Sequence, residues 1–162
     1  MNRQLSVSRI AACCALALAC FACSLPDSAE RIDPGKRISV LPGADEALDR
    51  AVAGAESAGP QVDPSRLASL RLTREAKEMI ADGQTDRALD QLERAIEQNG
   101  DQGFSYLYMA HLYIESGDVS QGLVLLDRAE ALLPHSRKLE SVVTRMLGRA
   151  AEIAAVQTRD EP

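Results

Sequence analysis

The central part of the chain repeats itself after 34 residues, and this period restricts the fold more than any other feature of the sequence. Internal repeats of about 20 to 50 residues are typical of arrays in which each unit packs on the next. The period therefore predicts stacked units of one kind. Small or apolar residues coincide at this shift in four places: Ala76 with Ala110, Gly83 with Gly117, Leu92 with Leu126, and Ala95 with Ala129.

Each unit has the pattern of two helices joined by a turn. Apolar residues recur at helical spacing on both sides of a segment centred on glycine, Gly83 in the first unit and Gly117 in the second. Glycine readily adopts the left-handed conformation that ends many helices. Because tryptophan is absent and alanine is abundant, the composition also favours closely packed helices over a β-sandwich.

The two units resemble tetratricopeptide repeats (TPRs). The resemblance implies an all-α fold, a short α-solenoid of two TPR-like helix hairpins at 65–136 with flanking helices. In this family, small residues let the two helices of a hairpin approach closely. Gly100 replaces the usual proline of the first unit, and Glu75 stands where an apolar residue is usual. The pattern falls on Leu72, Ala76, Met79, Ala88, Leu92 and Ala95 in the unit 69–102, and on Tyr106, Met109, Ala110, Tyr113, Gly122, Leu126, Ala129 and Pro134 in the unit 103–136.

The flanks must complete the core, because stacked repeats usually need about three units to bury a continuous one. Residues 44–64 are predicted to form a short helix and a proline-containing linker. Apolar residues at helical spacing predict a C-terminal capping helix over 137–157, followed by a tail at 158–162. The charged face of that helix is interpreted as solvated, with a dimerisation or partner surface as the alternative.

The N-terminal segment has the layout of a signal peptide. Arg3 and Arg9 precede an uncharged apolar run of about a dozen residues, whereas a membrane-spanning helix needs roughly 20. All four cysteines lie in this segment, so the rest of the chain can form neither a disulfide nor a thiolate metal site. Residues 1–23 resemble a bacterial lipoprotein signal with lipobox-like cysteines. Cys23 is the expected lipidation site and Cys20 the alternative.

The resemblance to lipoproteins implies a location in the cell envelope. We expect a lipid-anchored protein on the outer membrane facing the periplasm, because the aspartate that favours inner-membrane retention follows neither cysteine. Cleavage after Ala19 would instead give a soluble periplasmic protein. Residues 24–43, which contain three prolines, are predicted to be a disordered tether. The net charge of −6 makes a nucleic-acid partner unexpected.

No arrangement of residues indicates an enzyme, a resident metal or a cofactor. His111 and Glu115 lie four residues apart and could supply two metal ligands, but no third ligand is evident. We interpret them as an ordinary surface pair, and His135 as part of a turn. Neither a catalytic residue nor a metal ligand is therefore predicted.

The resemblance to TPRs also implies a concave, partner-binding groove lined by the first helix of each unit. Repeat packing explains Tyr106 and Tyr113 but not Phe104, so Phe104 is expected to be partly exposed. The alternative is that the groove residues merely cover the core of a short array. Carried over to this chain, the groove residues are Thr73, Lys77, Phe104, Leu107, His111, Glu115, Ser141 and Arg145.

Together these features predict a non-enzymatic TPR lipoprotein that acts as an adaptor or scaffold. Its partner would be a protein or peptide of the envelope, and its membrane contact would be the N-terminal lipid anchor. Related proteins assist pilus or secretion-channel assembly or organise cell-wall enzymes. The alternatives are a small-ligand or metal-binding periplasmic module and a purely structural homo-oligomer, and the oligomeric state is left open.

Overall fold

The computed structural model describes residues 41–160, where it contains six α-helices, one short 3₁₀-helix and no β-strand. The predicted all-α class is confirmed. The signal peptide predicted at 1–23, with Cys20 and Cys23, and residues 24–40 of the predicted tether lie outside the described residues. The helices are α1 (Ala44–Ser57), α2 (Pro64–Ala81), α3 (Thr85–Gln98), α4 (Gly103–Ser116), α5 (Val119–Leu132) and α6 (Arg137–Asp160), and the 3₁₀-helix is Gly59–Gln61.

The two repeats form helix hairpins, α2 with α3 and α4 with α5. Their turns contain Gly83 and Gly117, which have φ angles of 75° and 102°. Such positive φ angles are accessible to glycine at little cost, which explains why the repeat places glycine at both turns. Asp118 begins the second helix of its hairpin, and its side chain accepts a hydrogen bond from the Gln121 amide at 3.1 Å.

The first helix of the array, α2, begins earlier than the predicted first unit. The carboxylate of Asp63 accepts a hydrogen bond from the amide of Ser65 at 3.0 Å. Pro64 occupies the first helical position, where a missing amide proton costs nothing. Pro64, which was assigned to the predicted linker within 44–64, therefore starts a helix.

The second hairpin depends on a close approach between α4 and α5. A methyl group at Gly122 would lie 2.5 Å from Cγ1 of Ile114 and 3.1 Å from the carbonyl oxygen of Ala110. Ala110 is fully buried, and so are Ala76 and Ala88 one repeat earlier. Small residues thus stand where α4 and α5 cross, as the resemblance implied.

The last helix, α6, lies where the 34-residue period would place the first helix of a third repeat, and it is one continuous helix. It begins at Arg137, which is 34 residues after the start of α4 at Gly103. It continues to Asp160, so residues 158–160 of the predicted tail, 158–162, are helical. Near its end, Gln157 donates a hydrogen bond to the carbonyl of Gly117 at 2.8 Å. Within residues 41–160, no helix combines the length and apolarity that crossing a bilayer requires.

The predicted tether, 24–43, is wrong at its last three residues. Leu41 is buried in the core, and its carbonyl accepts hydrogen bonds from the amides of Ala44 and Asp45. A methyl group at Gly43 would lie 3.3 Å from the side chain of Val142 in α6. The ordered structure therefore begins no later than residue 41, because Leu41 both joins the core and precedes the first turn of α1.

Two glycine substitutions test the close crossing of α4 and α5. Gly122→Ala should lower the free energy of unfolding by about 1–3 kcal/mol, because the added methyl group overpacks the crossing. Gly148→Ala is the matched control, since nothing lies within 4 Å of a methyl group there. It should raise that free energy by about 0.5–1 kcal/mol, the helix preference of alanine. Urea denaturation measures both, and equal effects would show that Gly122 is not in a tight contact.

Candidate functional site

The surface shared by the first helices of the repeats is covered by α1. We call this surface, formed by α2, α4 and α6, the first-helix face. It corresponds to the predicted concave groove, and α1 crosses it from α6 at its N-terminal end to α2 at its C-terminal end. Three polar contacts mark the crossing: Glu46 with Lys138 of α6 at 2.7 Å, Asp45 with Tyr108 of α4 at 2.5 Å, and Asp49 with Lys77 of α2 at 2.7 Å.

Apolar packing holds α1 to the same face. Leu48 and Val52 are fully buried, and they are four residues apart on one side of α1. They belong to one continuous apolar cluster with Leu70 of α2 and Leu107 of α4. The first helix is thus part of the core of residues 41–160.

The apolar members of the predicted groove are therefore core residues. Phe104 is only 4% exposed and Leu107 is fully buried, so the expected exposure of Phe104 is wrong. Thr73 is also buried, and its hydroxyl lies 2.7 Å from that of Ser105 in a bond between α2 and α4. The cause is the N-terminal flank, which packs across the first helices where a free groove was expected.

The polar residues of the predicted groove fall into two groups. Lys77 and Glu115 form ion pairs with α1 and α6, whereas Ser141 and Arg145 are exposed on α6. Lys77 donates to both carboxylate oxygens of Asp49, and Glu115 accepts from Arg149 at 3.0 Å. Arg145 is exposed and donates to the carbonyl of Pro42, while the exposed Ser141 bonds to the backbone of its own helix. The structure therefore brings Thr73, Phe104 and Leu107 together under α1, whereas Ser141 and Arg145 remain at the edge.

His111 does not have the setting expected of a surface histidine. It is buried, and Glu115, one turn further on, faces Arg149. Within residues 41–160, no three histidine, cysteine or acidic side chains are grouped so that they could hold a metal ion.

Ionisation reflects the contacts of α1 and α6. The hydrogen bond and charge of Lys138 lower the pKa of the exposed Glu46. The hydrogen bond and charge of Glu115 raise the pKa of Arg149. Burial, followed by the hydrogen bond to Asp45, raises the pKa of Tyr108 well beyond its ordinary value. Tyr108 therefore stays neutral wherever the fold is intact.

One part of this side of the molecule remains open, a cleft of about 570 Å³ beside α1. We call it the open cleft. Phe104, Leu133 and Leu139 supply apolar lining, while Arg50 of α1 and Arg66 of α2 supply positive charge. Arg50 pairs with Glu46, but Arg66 is exposed and no carboxylate within residues 41–160 pairs with it. Further lining comes from Ala47, Ala51, Asn99, Asp101, Gln102, Leu132, Pro134 and Ser136.

The residues that define these two surfaces were not predicted as site residues. Asp45 and Tyr108 are 63 positions apart, and no periodicity connects them. A usable signal was the run of acidic residues in the first two turns of α1, of which Glu46 pairs with Lys138 and Asp49 with Lys77. Arg66 of the open cleft carries no motif, because it belongs to the cleft only through the packing of α1.

Comparison with known families agrees with this geometry. Residues 79–145 match the tetratricopeptide repeat family. The match covers α3, α4 and α5 and continues into α6, which begins one 34-residue period after α4. It supports a TPR protein, and TPRs generally mediate protein–protein interactions. No curated protein and no solved structure matches the chain.

The raised pKa of Tyr108 predicts how the stability of the helical array responds to alkaline pH. Above about pH 10 the unfolded chain ionises this phenol while the folded chain keeps it neutral. The free energy of unfolding should therefore fall by about 1.4 kcal/mol per pH unit from this residue alone. Tyr108→Phe removes the ionisable group and should make the fall shallower, although at pH 8 it should cost about 1–3 kcal/mol for the lost hydrogen bond to a charged group.

Urea denaturation of both proteins between pH 8 and pH 11 checks this prediction. The comparison cancels the contributions of all other groups, including Tyr113, whose pKa is also raised by burial. Equal slopes for the two proteins would show that α1 does not keep Tyr108 from water.

Proposed function

We propose that this chain is a non-enzymatic adaptor of the bacterial cell envelope whose TPR array binds a segment of another envelope protein in the open cleft. The observation that carries the proposal is the combination of a floor of Phe104, Leu133 and Leu139, each at most 8% exposed, with the exposed Arg66, which forms no ion pair within residues 41–160. Since the first-helix face is covered by α1, the open cleft is the part of that side that a partner reaches without displacing a helix.

The chemistry of the cleft specifies the segment. A volume of about 570 Å³ accepts one or two large apolar side chains. Arg66 favours a carboxylate next to them, and its place in the first turn of α2 adds the positive end of the helix dipole. The expected ligand is therefore an apolar residue flanked by aspartate or glutamate.

The membrane anchor is the second part of the proposal. Lipid on Cys23, with Cys20 as the alternative, would hold the array at the outer membrane on the periplasmic side. A single acyl chain gives only marginal membrane binding, whereas two or more give stable anchoring. The segment between the lipid and Leu41 would then set how far the array reaches.

A small-ligand module is the second candidate, and the size of the open cleft favours it. Small-molecule sites usually measure about 300–1,000 Å³ and combine an apolar lining with a few polar groups. Arg66 would then bind the acid group of a compact amphipathic ligand. Competition between such a ligand and a partner protein would separate the two candidates.

Charge reversal of Arg66 tests the cleft. Arg66 and Arg87 are each exposed and each third in their helix, α2 and α3, so Arg87→Glu is a matched control. An acidic residue in a first helical turn is favourable, so neither substitution should destabilise the fold. Crosslinking pull-downs from membranes should capture a partner with the wild type and Arg87→Glu but lose it with Arg66→Glu. Capture of every partner by Arg66→Glu would show that the open cleft is not the binding site.

Two cysteine variants test the anchor. Cys23→Ser should move the chain from the membrane fraction and leave it unprocessed or soluble, whereas Cys20→Ser should leave it on the outer membrane. The intact mass of the mature N-terminus gives the lipid and its position. A mature N-terminus without lipid, including an unmodified Cys20 after cleavage at Ala19 or an unmodified Cys23, would contradict lipidation.

A further inference from the structure

The helix α1 contacts the array, α2 to α6, in the way that a bound helical ligand would. Only residues 58–63 join α1 to α2, and Gly59 in this linker has a φ angle of 61°. The helix packs an apolar stripe against the first-helix face and directs carboxylates to both sides of the stripe. The stripe consists of Ala44, Leu48, Val52 and Ala55, all buried.

The array meets these carboxylates with a rim of cations. The side chains of Lys138 and Arg71 are 59% and 51% exposed and can be reached from solvent, whereas that of Lys77 is 19% exposed. Cations therefore stand at both ends of the crossing, on α2 and on α6. The pairs are Glu46 with Lys138 at 2.7 Å, Asp49 with Lys77 at 2.7 Å and Glu56 with Arg71 at 3.0 Å.

Between the ends of the crossing, the phenol of Tyr108 donates to Asp45 from within the array. This buried donor is available only to an acceptor that lies where α1 now lies. A helix that places leucine or valine at the stripe positions and carboxylates beside them would satisfy the same donors and cations. A basic helix would meet Lys77 and Lys138 with like charge and leave Tyr108 without an acceptor.

We propose that α1 is an exchangeable occupant of the first-helix face, and that a foreign amphipathic helix with acidic residues at the positions of Asp45, Glu46 and Asp49 takes its place. This inference goes beyond the proposed function, because it concerns the covered face and leaves the open cleft unchanged. The chain thereby has a second docking surface, which is closed while α1 is bound.

Covalent linkage sets the condition for exchange. A short linker such as 58–63 holds its ligand at an effective concentration on the order of millimolar or above. A free helix that binds only as tightly as α1 therefore does not replace it at micromolar concentration. Exchange requires a foreign helix that binds more tightly than α1, or an α1 that binds more weakly. Salt weakens the exposed ion pairs of α1 and of the foreign helix alike.

The experiment uses a fluorescein-labelled synthetic peptide of residues 41–58 and the full chain. In the reversed chain, Asp45, Glu46 and Asp49 are replaced by lysine, which repels α1 from Lys77 and Lys138 and changes no residue of α2 to α6. Fluorescence anisotropy should show the peptide binding to the reversed chain at least about tenfold more tightly than to the wild type. A control peptide with the same three lysines should bind the reversed chain at least about tenfold more weakly than the acidic peptide.

A second form of the protein guards against misfolding of the reversed chain. A protease site inserted in the linker 58–63 allows α1 to be cut from an otherwise native chain, after which the labelled peptide should exchange with it. No binding to either form, or equal binding of the acidic and lysine peptides, would overturn the proposal. A wild-type dimer that charge reversal of α1 dissociates would instead assign the face to a second copy. The assay contains no envelope partner and keeps Arg66, so its failure is distinct from failure of the proposed function.

Discussion

Two helix hairpins cannot bury all of their own apolar surface. The other helices are arranged so that they cover the remainder. The first helices, α2 and α4, expose apolar side chains on the side away from α3 and α5. In a long array, neighbouring repeats and a ligand would cover part of that surface. Here α6 covers the end and α1 crosses the face, so Leu70 and Leu107 join one core with Leu48 and Val52. The flanks complete the fold.

Much of this architecture could be predicted from the sequence because it depends on local sequence patterns. The 34-residue period, the turn glycines and the apolar spacing of the last helix are each visible within a few turns of helix. The structure confirms the all-α class and the small residues at the crossing of α4 and α5. The end of α6 and the start of α2 were less predictable, since helix ends depend on capping contacts such as that of Asp63.

The groove could not be predicted in the same way. Thr73, Phe104 and Leu107 occupy the positions that the repeat assigns to a groove, and the repeat pattern contains no information about a helix outside it. Whether these residues are open depends on the docking of α1, which joins Asp45 to Tyr108 across 63 positions. Long-range pairs of this kind have no periodic signature. The same docking creates the open cleft, because Ala47, Arg50 and Ala51 of α1 form one of its walls.

The continuation of α6 past the position of the missing turn has a consequence for assembly. A repeat that folds back offers its second helix as a platform for the next unit, and arrays grow by adding such units. Here the helix runs straight on, and Gln157 fastens it to the backbone of Gly117. Within residues 41–160 the array therefore ends in this single helix, on which Leu147 and Val156 are about half exposed. A unit stacking on this end would meet the side of α6 and not the second helix of a repeat.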